Sequence, residues 1–151
     1  MKIAVKTVLF TVFMFLISTG IALAHCEIPC GICDDELRAR LIAEHITTVE
    51  KSMNQIRSLA RKSPLNHNQM VRWVTNKEAH AGEIQHIVTQ YFMTQRIKPG
   101  QEKYTEKLEV LHQMLLAAMK AKQTVDLDTI QKLRTLLKTF EKLYFGHSVS
   151  S

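Results

Sequence analysis

Apolar side chains recur at helical spacing through most of the chain, in four separate stretches. The first stretch carries them at alternating spacings of four and three residues, at Ile42, Ile46, Val49, Met53, Ile56 and Ala60. This heptad-like spacing is typical of a helix with one buried face, and it predicts a first helix over about 35–62. Asp34, Asp35 and Glu36 place a capping carboxylate and negative charge at its start.

A second helix is predicted over about 69–95, after a stop and a new cap at Ser63-Pro64-Leu65-Asn66. Its apolar repeat is interrupted at Lys77 and otherwise consists of Met70, Val74, Ala81, Ile84, Val88 and Tyr91. Further apolar residues, such as Leu59 and Phe92, lie beside the stripes and indicate a wider buried face. Pro99-Gly100 then ends the pattern, because neither residue continues a helix easily.

Two more helices follow the same repeat. The third is predicted to turn Tyr104, Leu108, Leu111, Leu115 and Ala118 inward. The fourth begins at a cap supplied by Asp126 or Asp128 and ends near Gly146, and its inward residues are Ile130, Leu133, Leu137, Phe140 and Tyr144. Since no stretch has the alternation of a strand, the predicted fold is all-α, an antiparallel up-down four-helix bundle.

The first 24 residues have the pattern of a secretory leader. Lys2 and Lys6 precede an apolar run from Val8 to Ile17, and the small-x-small sequence Ala22-Leu23-Ala24 follows. We expect cleavage after Ala24 and an exported, periplasmic or secreted product without a stable membrane anchor. The alternative is an uncleaved N-terminal anchor, which the shortness of the run disfavours, because a span needs roughly 20 apolar residues.

The predicted organisation is therefore a leader over 1–24, an irregular segment over 25–34 that we call the hook, the bundle over 35–145 and a tail over 146–151. Cleavage leaves 127 of the 151 residues and lowers the formal net charge from +6 to +4, because Lys2 and Lys6 depart. This mild excess of positive charge is spread along the chain without a block of basic residues, so nucleic-acid binding is not expected.

The chemistry-bearing residues are concentrated in the hook, which holds all three cysteines of the chain. It reads His25-Cys26-Glu27-Ile28-Pro29-Cys30-Gly31-Ile32-Cys33. Once the leader is removed, His25 becomes the N-terminus, with a free amine beside its imidazole. Three cysteines in an oxidising compartment cannot all pair within one chain.

A planar metal site can be assembled from these donors. The amine of His25 and the amide nitrogen of Cys26 form one chelate ring, and the Cys26 thiolate extends it. Cys30, brought back by a turn at Pro29-Gly31, supplies a second sulfur. Two nitrogens and two sulfurs in a plane suit divalent nickel or copper, whereas zinc prefers a tetrahedron. The His25 imidazole remains available as an axial ligand.

This hook resembles that of the nickel-dependent superoxide dismutase family, which has the form His-Cys-x-x-Pro-Cys-Gly-x-Tyr. The helical layout is similar over nearly all of 25–145, and the segment from Asn76 to Ala81 is also similar to one found in many members. The resemblance implies that His25, Cys26 and Cys30 bind a single nickel ion per subunit and carry the catalysis, with a cis peptide bond before Pro29. It also implies superoxide as the substrate and a homohexamer as the assembly.

The chain departs from the family at three positions. Cys33 stands where the family has a tyrosine near the open face of the metal, so weaker exclusion of larger ligands is expected at this neighbour of the site. A carboxylate that steadies the imidazole in the family falls near Ile42 here, and an arginine near the site falls near His80. Neither role is carried over to this chain, and Glu44, His45 and His80 are the candidate substitutes.

Other interpretations of the same cysteines remain open. Cys26 and Cys30 can form a disulfide with Cys33 spare, which leaves a stapled structural bundle. Cys30-Gly31-Ile32-Cys33 can serve thiol-disulfide exchange at a helix start, although the alternating strands of thioredoxin-like proteins are missing. A bundle that binds nickel or copper without catalysis is a further alternative.

A second metal pattern lies in the helices. Glu83 and His86, and again Glu109 and His112, are Glu-x-x-His pairs of the type found in di-iron bundles. The heptad register places both histidines outside the apolar stripes, and no stripe contains a further glutamate. The pattern therefore predicts solvated side chains on the helix surfaces.

Overall fold

Four α-helices form from the stretches with helical periodicity. A computed structural model describes residues 34–150, and within them the helices are α1 (Asp35–Leu59), α2 (His67–His86), α3 (Tyr104–Gln123) and α4 (Asp128–Tyr144). A π-helix, Ile87–Arg96, continues α2 directly. The part of the chain from 34 to 150 contains no strand, which confirms the all-α prediction. The hook and the leader lie outside the described residues.

The predicted caps are present at the start of the first two helices. The Asp34 carboxylate accepts a hydrogen bond from the Leu37 N–H at 2.8 Å, and the Asn66 side chain accepts one from Gln69 at 3.1 Å. Each bond satisfies a backbone donor that has no partner inside its helix. Asp126 plays a related part before α4, where it accepts from the Asp128 N–H at 3.1 Å.

The first helix ends earlier than predicted. α1 ends at Leu59, and beyond Ala60 the backbone N–H groups of Arg61 and Lys62 bond to carbonyls three residues back instead of four. Such a tightened last turn is a common way to satisfy the final carbonyls of a helix. Ala60, predicted to face inward, is therefore exposed, and Leu59 is the buried residue at this end.

The helices run up and down around a shared core. α1 packs against α2 and α4, and α3 packs against the same two helices. Contacts between opposite ends show the antiparallel directions, since Asp35 at the start of α1 bonds to Tyr91 and to Tyr144 at the end of α4. The fully buried large side chains include Ile42, Ile46, Met53, Ile84, Phe92, Leu111, Met114, Ile130, Leu133 and Phe140.

The prediction that Val74 of the second helix faces the core is wrong. Val74 is 38 % exposed, because it lines an open groove beside the end of α3, with Lys122 and Val125. Lys77, which interrupts the apolar repeat, is instead buried at 4 % exposure.

The buried Lys77 ammonium connects two helices. Its Nζ donates to the Ala121 carbonyl oxygen at 2.8 Å, to that of Lys122 and to the Glu78 carboxylate at 3.1 Å. Ala121 and Lys122 lie in the last turn of α3, where carbonyls lack helical partners and the helix dipole favours a cation. A charge at a core position is therefore compatible with this fold.

The residues after α4 fold back onto it. Glu141 is fully buried, and one of its carboxylate oxygens accepts hydrogen bonds from the Ser148 hydroxyl at 2.9 Å and the Val149 N–H at 3.1 Å. The tail predicted over 146–151 is thus attached to the bundle through residue 149. Among the helices formed by residues 34–150, none combines the length and apolarity that crossing a membrane requires.

Candidate metal centre

The predicted ligands of the hook precede the part of the chain that the structure describes. The residues outside the description include the predicted ligands His25, Cys26 and Cys30. They also include Cys33 and the two residues that would shape the turn, Pro29 and Gly31. These assignments stay predictions. The description begins with Asp34, the residue that caps α1, so the structure defines the end of the bundle to which the hook is joined.

A four-residue cluster occupies this end of the bundle, and we call Asp35, Tyr91, Arg96 and Tyr144 the Asp35 cluster. One carboxylate oxygen of Asp35 accepts from the Tyr91 hydroxyl and from Arg96 Nε at 2.9 Å. The other accepts from the Tyr144 hydroxyl at 2.7 Å. The carboxylate therefore joins the start of α1 to the π-helix and to the end of α4.

The π-helix explains how two members of this cluster meet. Tyr91 and Arg96 are five residues apart, and Arg96 Nη2 donates to the Tyr91 hydroxyl at 3.1 Å. In an α-helix residues at that spacing diverge by about 140°, because each residue turns about 100°. The i→i+5 bonding of a π-helix stacks them instead. The change of helix type therefore places Arg96 beside Asp35.

The environment keeps both tyrosines protonated. Burial raises the pKa of the Tyr91 hydroxyl, and its hydrogen bond to Asp35 raises it further. The pKa of Tyr144 is raised by the same two causes, with burial again the larger. Arginines also flank the Tyr91 ring, since the guanidinium carbons of Arg38 and Arg96 lie 5.3 Å and 5.1 Å from its centroid. Both hydroxyls thus remain donors to Asp35.

Two of the residues proposed as substitutes for the family's supporting groups are bonded to each other. The Nδ1 atoms of His45 on α1 and His80 on α2 lie 2.9 Å apart in a half-buried position. In such a contact, one of the two Nδ1 atoms carries a proton and the other accepts it. Glu44 is exposed, and Ile42 is fully buried in the core. Both histidines were named as candidate supporting groups only through the resemblance, and their contact with each other was not predicted.

The histidine pair predicts a pH dependence of stability. The pKa of His45 lies below its ordinary value of 6.5, mainly through burial and then through His80, against the opposing charges of Glu83 and Glu44. The folded chain therefore takes up a proton there less readily than the unfolded chain. The contribution of neutral His45 to the free energy of unfolding is fully present above about pH 6.5. It is lost as the pH falls through the lower pKa that His45 has in the folded chain.

We expect His45→Gln to weaken this dependence. Urea unfolding from about pH 7.5 to about pH 5.5 should show a smaller loss of unfolding free energy in the variant than in the parent protein. His112→Gln, at an exposed position of α3, serves as the control and should keep the parent's dependence. Equal pH dependence in His45→Gln and the parent would contradict the assignment.

The two Glu-x-x-His pairs lie on the helix surfaces. His86 and His112 are exposed, as are Glu83 and Glu109, which confirms the surface prediction for both Glu-x-x-His pairs. Within residues 34–150, no group of three or more histidine, cysteine, aspartate or glutamate side chains is arranged to hold a metal ion.

Comparison with known proteins identifies the family of the chain. The chain matches the family described as nickel-containing superoxide dismutase over residues 20–148. It is 30% identical over 122 residues to the "Superoxide dismutase [Ni]" of Streptomyces coelicolor, an alignment that covers 81% of this chain and 86% of that protein. No solved structure matches the chain. Because the family match spans most of the sequence, this chain belongs to the nickel-containing superoxide dismutases.

Proposed function

We propose that the mature protein disproportionates superoxide at its N-terminal hook. The observation that carries this proposal is the sequence His25-Cys26-x-x-Pro29-Cys30-Gly31, placed directly after the predicted leader cleavage site in a chain of this family. Two superoxide anions and two protons would give one dioxygen and one hydrogen peroxide. One superoxide loses an electron and the other gains it, so no further oxidant or reductant is needed.

The donor set of the hook fits nickel. The His25 amine, the Cys26 amide nitrogen and the thiolates of Cys26 and Cys30 are strong-field donors, a set that suits divalent nickel. Bound nickel would supply one-electron chemistry between its divalent and trivalent states. The His25 imidazole would be a further donor, and the anionic sulfurs would favour the higher charge.

The remaining residues of the hook would shape access to the site. Pro29 and Gly31 would turn the chain so that Cys30 returns toward Cys26. Cys33 would lie at the open face, where the family has a tyrosine. A cysteine side chain is smaller and can be oxidised, so it would exclude larger ligands less well.

Export and assembly form part of the same proposal. Cleavage after Ala24 would both deliver the protein outside the cytosol and create the amine ligand at His25. A homohexamer is proposed from the family resemblance. Exposed apolar side chains on the bundle support contacts between subunits, namely Leu37, Val71, Val74, Leu116 and Met119.

Metal reconstitution tests the proposal. Metal-free protein beginning at His25 is loaded separately with nickel, copper and zinc under reducing conditions, and the decay of superoxide is then followed. We expect catalytic decay with nickel alone. Activity with copper but not with nickel would contradict the proposed centre, and binding of nickel without catalysis would leave a metal-binding bundle in place of an enzyme.

A further inference from the structure

The Asp35 cluster lies a short length of chain away from the predicted ligands. Asp35 follows Cys30 by five residues and Cys33 by two. The Asp35 cluster is therefore joined to the predicted ligands by only a few residues of chain.

The start of α1 is held from two sides. The Asp34 side chain caps the helix through Leu37, while the Asp35 side chain receives three donors from other parts of the bundle. The side chains of Asp35 and Arg96 are only 24 % and 25 % exposed. A charged pair shielded to this degree, with further hydrogen bonds to both carboxylate oxygens, fixes its geometry better than a surface pair does.

The cluster also depends on an uncommon backbone feature. The π-helix is ten residues long, and π-helices are rare in proteins. Here the π-helix brings Arg96 over Tyr91 and onto Asp35. The π-helix and the end of α4 thus both donate hydrogen bonds to one carboxylate at the start of α1.

We propose that Asp35 is a positioning residue for the nickel hook. Resting on the proposed function, this inference adds that the cluster fixes the exit of the hook, so that fewer conformations of the preceding residues are lost when metal binds. Without that anchor, the ligands would pay a larger ordering entropy, and nickel would bind more weakly. Tyr144 contributes through its hydrogen bond to the second carboxylate oxygen.

Nickel affinity of the mature chain provides the test. Competition with a chelator is measured for the parent protein, Asp35→Asn and Tyr144→Phe, together with the nickel dissociation rate. We expect Asp35→Asn to bind nickel about 10–100-fold more weakly and to release it faster. Tyr144→Phe should change both quantities in the same direction by a smaller factor.

The matched control is Asp128→Asn, which removes the first-turn carboxylate of α4, at an exposed position. It should bind nickel as the parent does. A purely structural role for Asp35 would lower the unfolding midpoint and leave nickel affinity unchanged, and that result would overturn the inference. If Asp35→Asn does not fold, unchanged affinity in Tyr144→Phe overturns it equally.

The same experiment separates this inference from the function on which it rests. Failure of the parent protein itself to bind nickel would overturn the proposed function, and the role of Asp35 with it. Tight binding by the parent and by Asp35→Asn alike would retain the hook and remove only the positioning role.

Discussion

Replacement of Cys30 by serine is expected to abolish nickel binding and superoxide dismutation together. A serine hydroxyl is not ionised at neutral pH and is a hard oxygen donor, so it cannot replace a thiolate in a nickel site that needs soft donors. Nickel content, measured on the mature protein after removal of loosely bound metal, should fall to background. The rate of superoxide decay should fall to that of the metal-free protein.

His86→Ala is the matched control for this substitution. His86 belongs to a Glu-x-x-His pair, but its side chain is exposed at the end of α2. The variant should keep its nickel and its activity. Loss of nickel in His86→Ala, or retention of nickel in Cys30→Ser, would move the metal centre away from the hook.

Truncation of Phe92 should produce the largest loss of stability in the bundle. Phe92 is fully buried, and its ring lies 4.8 Å from Phe140, 5.2 Å from Tyr91 and 5.7 Å from Tyr144, measured between centroids. Phe92→Ala removes this packing and leaves a cavity, so the free energy of unfolding should fall by about 3–5 kcal/mol. Urea unfolding at fixed protein concentration measures it.

Phe92→Leu should cost less than Phe92→Ala, because part of the volume is kept. Gln131→Ala, at an exposed position of α4, should change the unfolding free energy by no more than about 0.5 kcal/mol. A loss in Phe92→Ala no larger than that of the Gln131 control would show that the aromatic contacts do not hold the end of the bundle together.

The bundle could be predicted from the sequence because local signals agree with the tertiary packing. Asp34 and Asn66 are residues that cap helices, and the structure shows both caps. Ile42, Ile84 and Leu133 follow the heptad repeat, and all three are fully buried. These choices depend on neighbours within a few residues, which sequence patterns record directly.

Features that depend on distant partners were not predictable in this way. Lys77 interrupts an apolar stripe in the sequence, and its burial is explained by the carbonyls of Ala121 and Lys122 on another helix. The π-helix has no glycine or proline to mark it within Ile87–Arg96. Threonine side chains bond to its backbone, such as Thr94 to the Thr89 carbonyl at 2.7 Å, but threonine occurs in ordinary helices as well.

The same difference between near and distant partners applies to the candidate site. The hook is predicted from residues that are neighbours in sequence, whose spacing would determine the chelate rings, and its ligands stay a prediction. The Asp35 cluster joins residues separated by as many as 109 positions, as with Asp35 and Tyr144. Tyr91 and Tyr144 were predicted only as apolar stripe positions, and their hydroxyls gave no signal of a shared carboxylate.

Intact mass and metal content of protein purified from its native compartment test the central claim most directly. The account predicts a chain that begins at His25, with about one nickel ion for each subunit and no disulfide in the hook. A chain that retains residues before His25 would lack the amine ligand. That result, or a metal-free protein with Cys26 and Cys30 joined, would contradict the nickel hook and the enzyme function proposed from it.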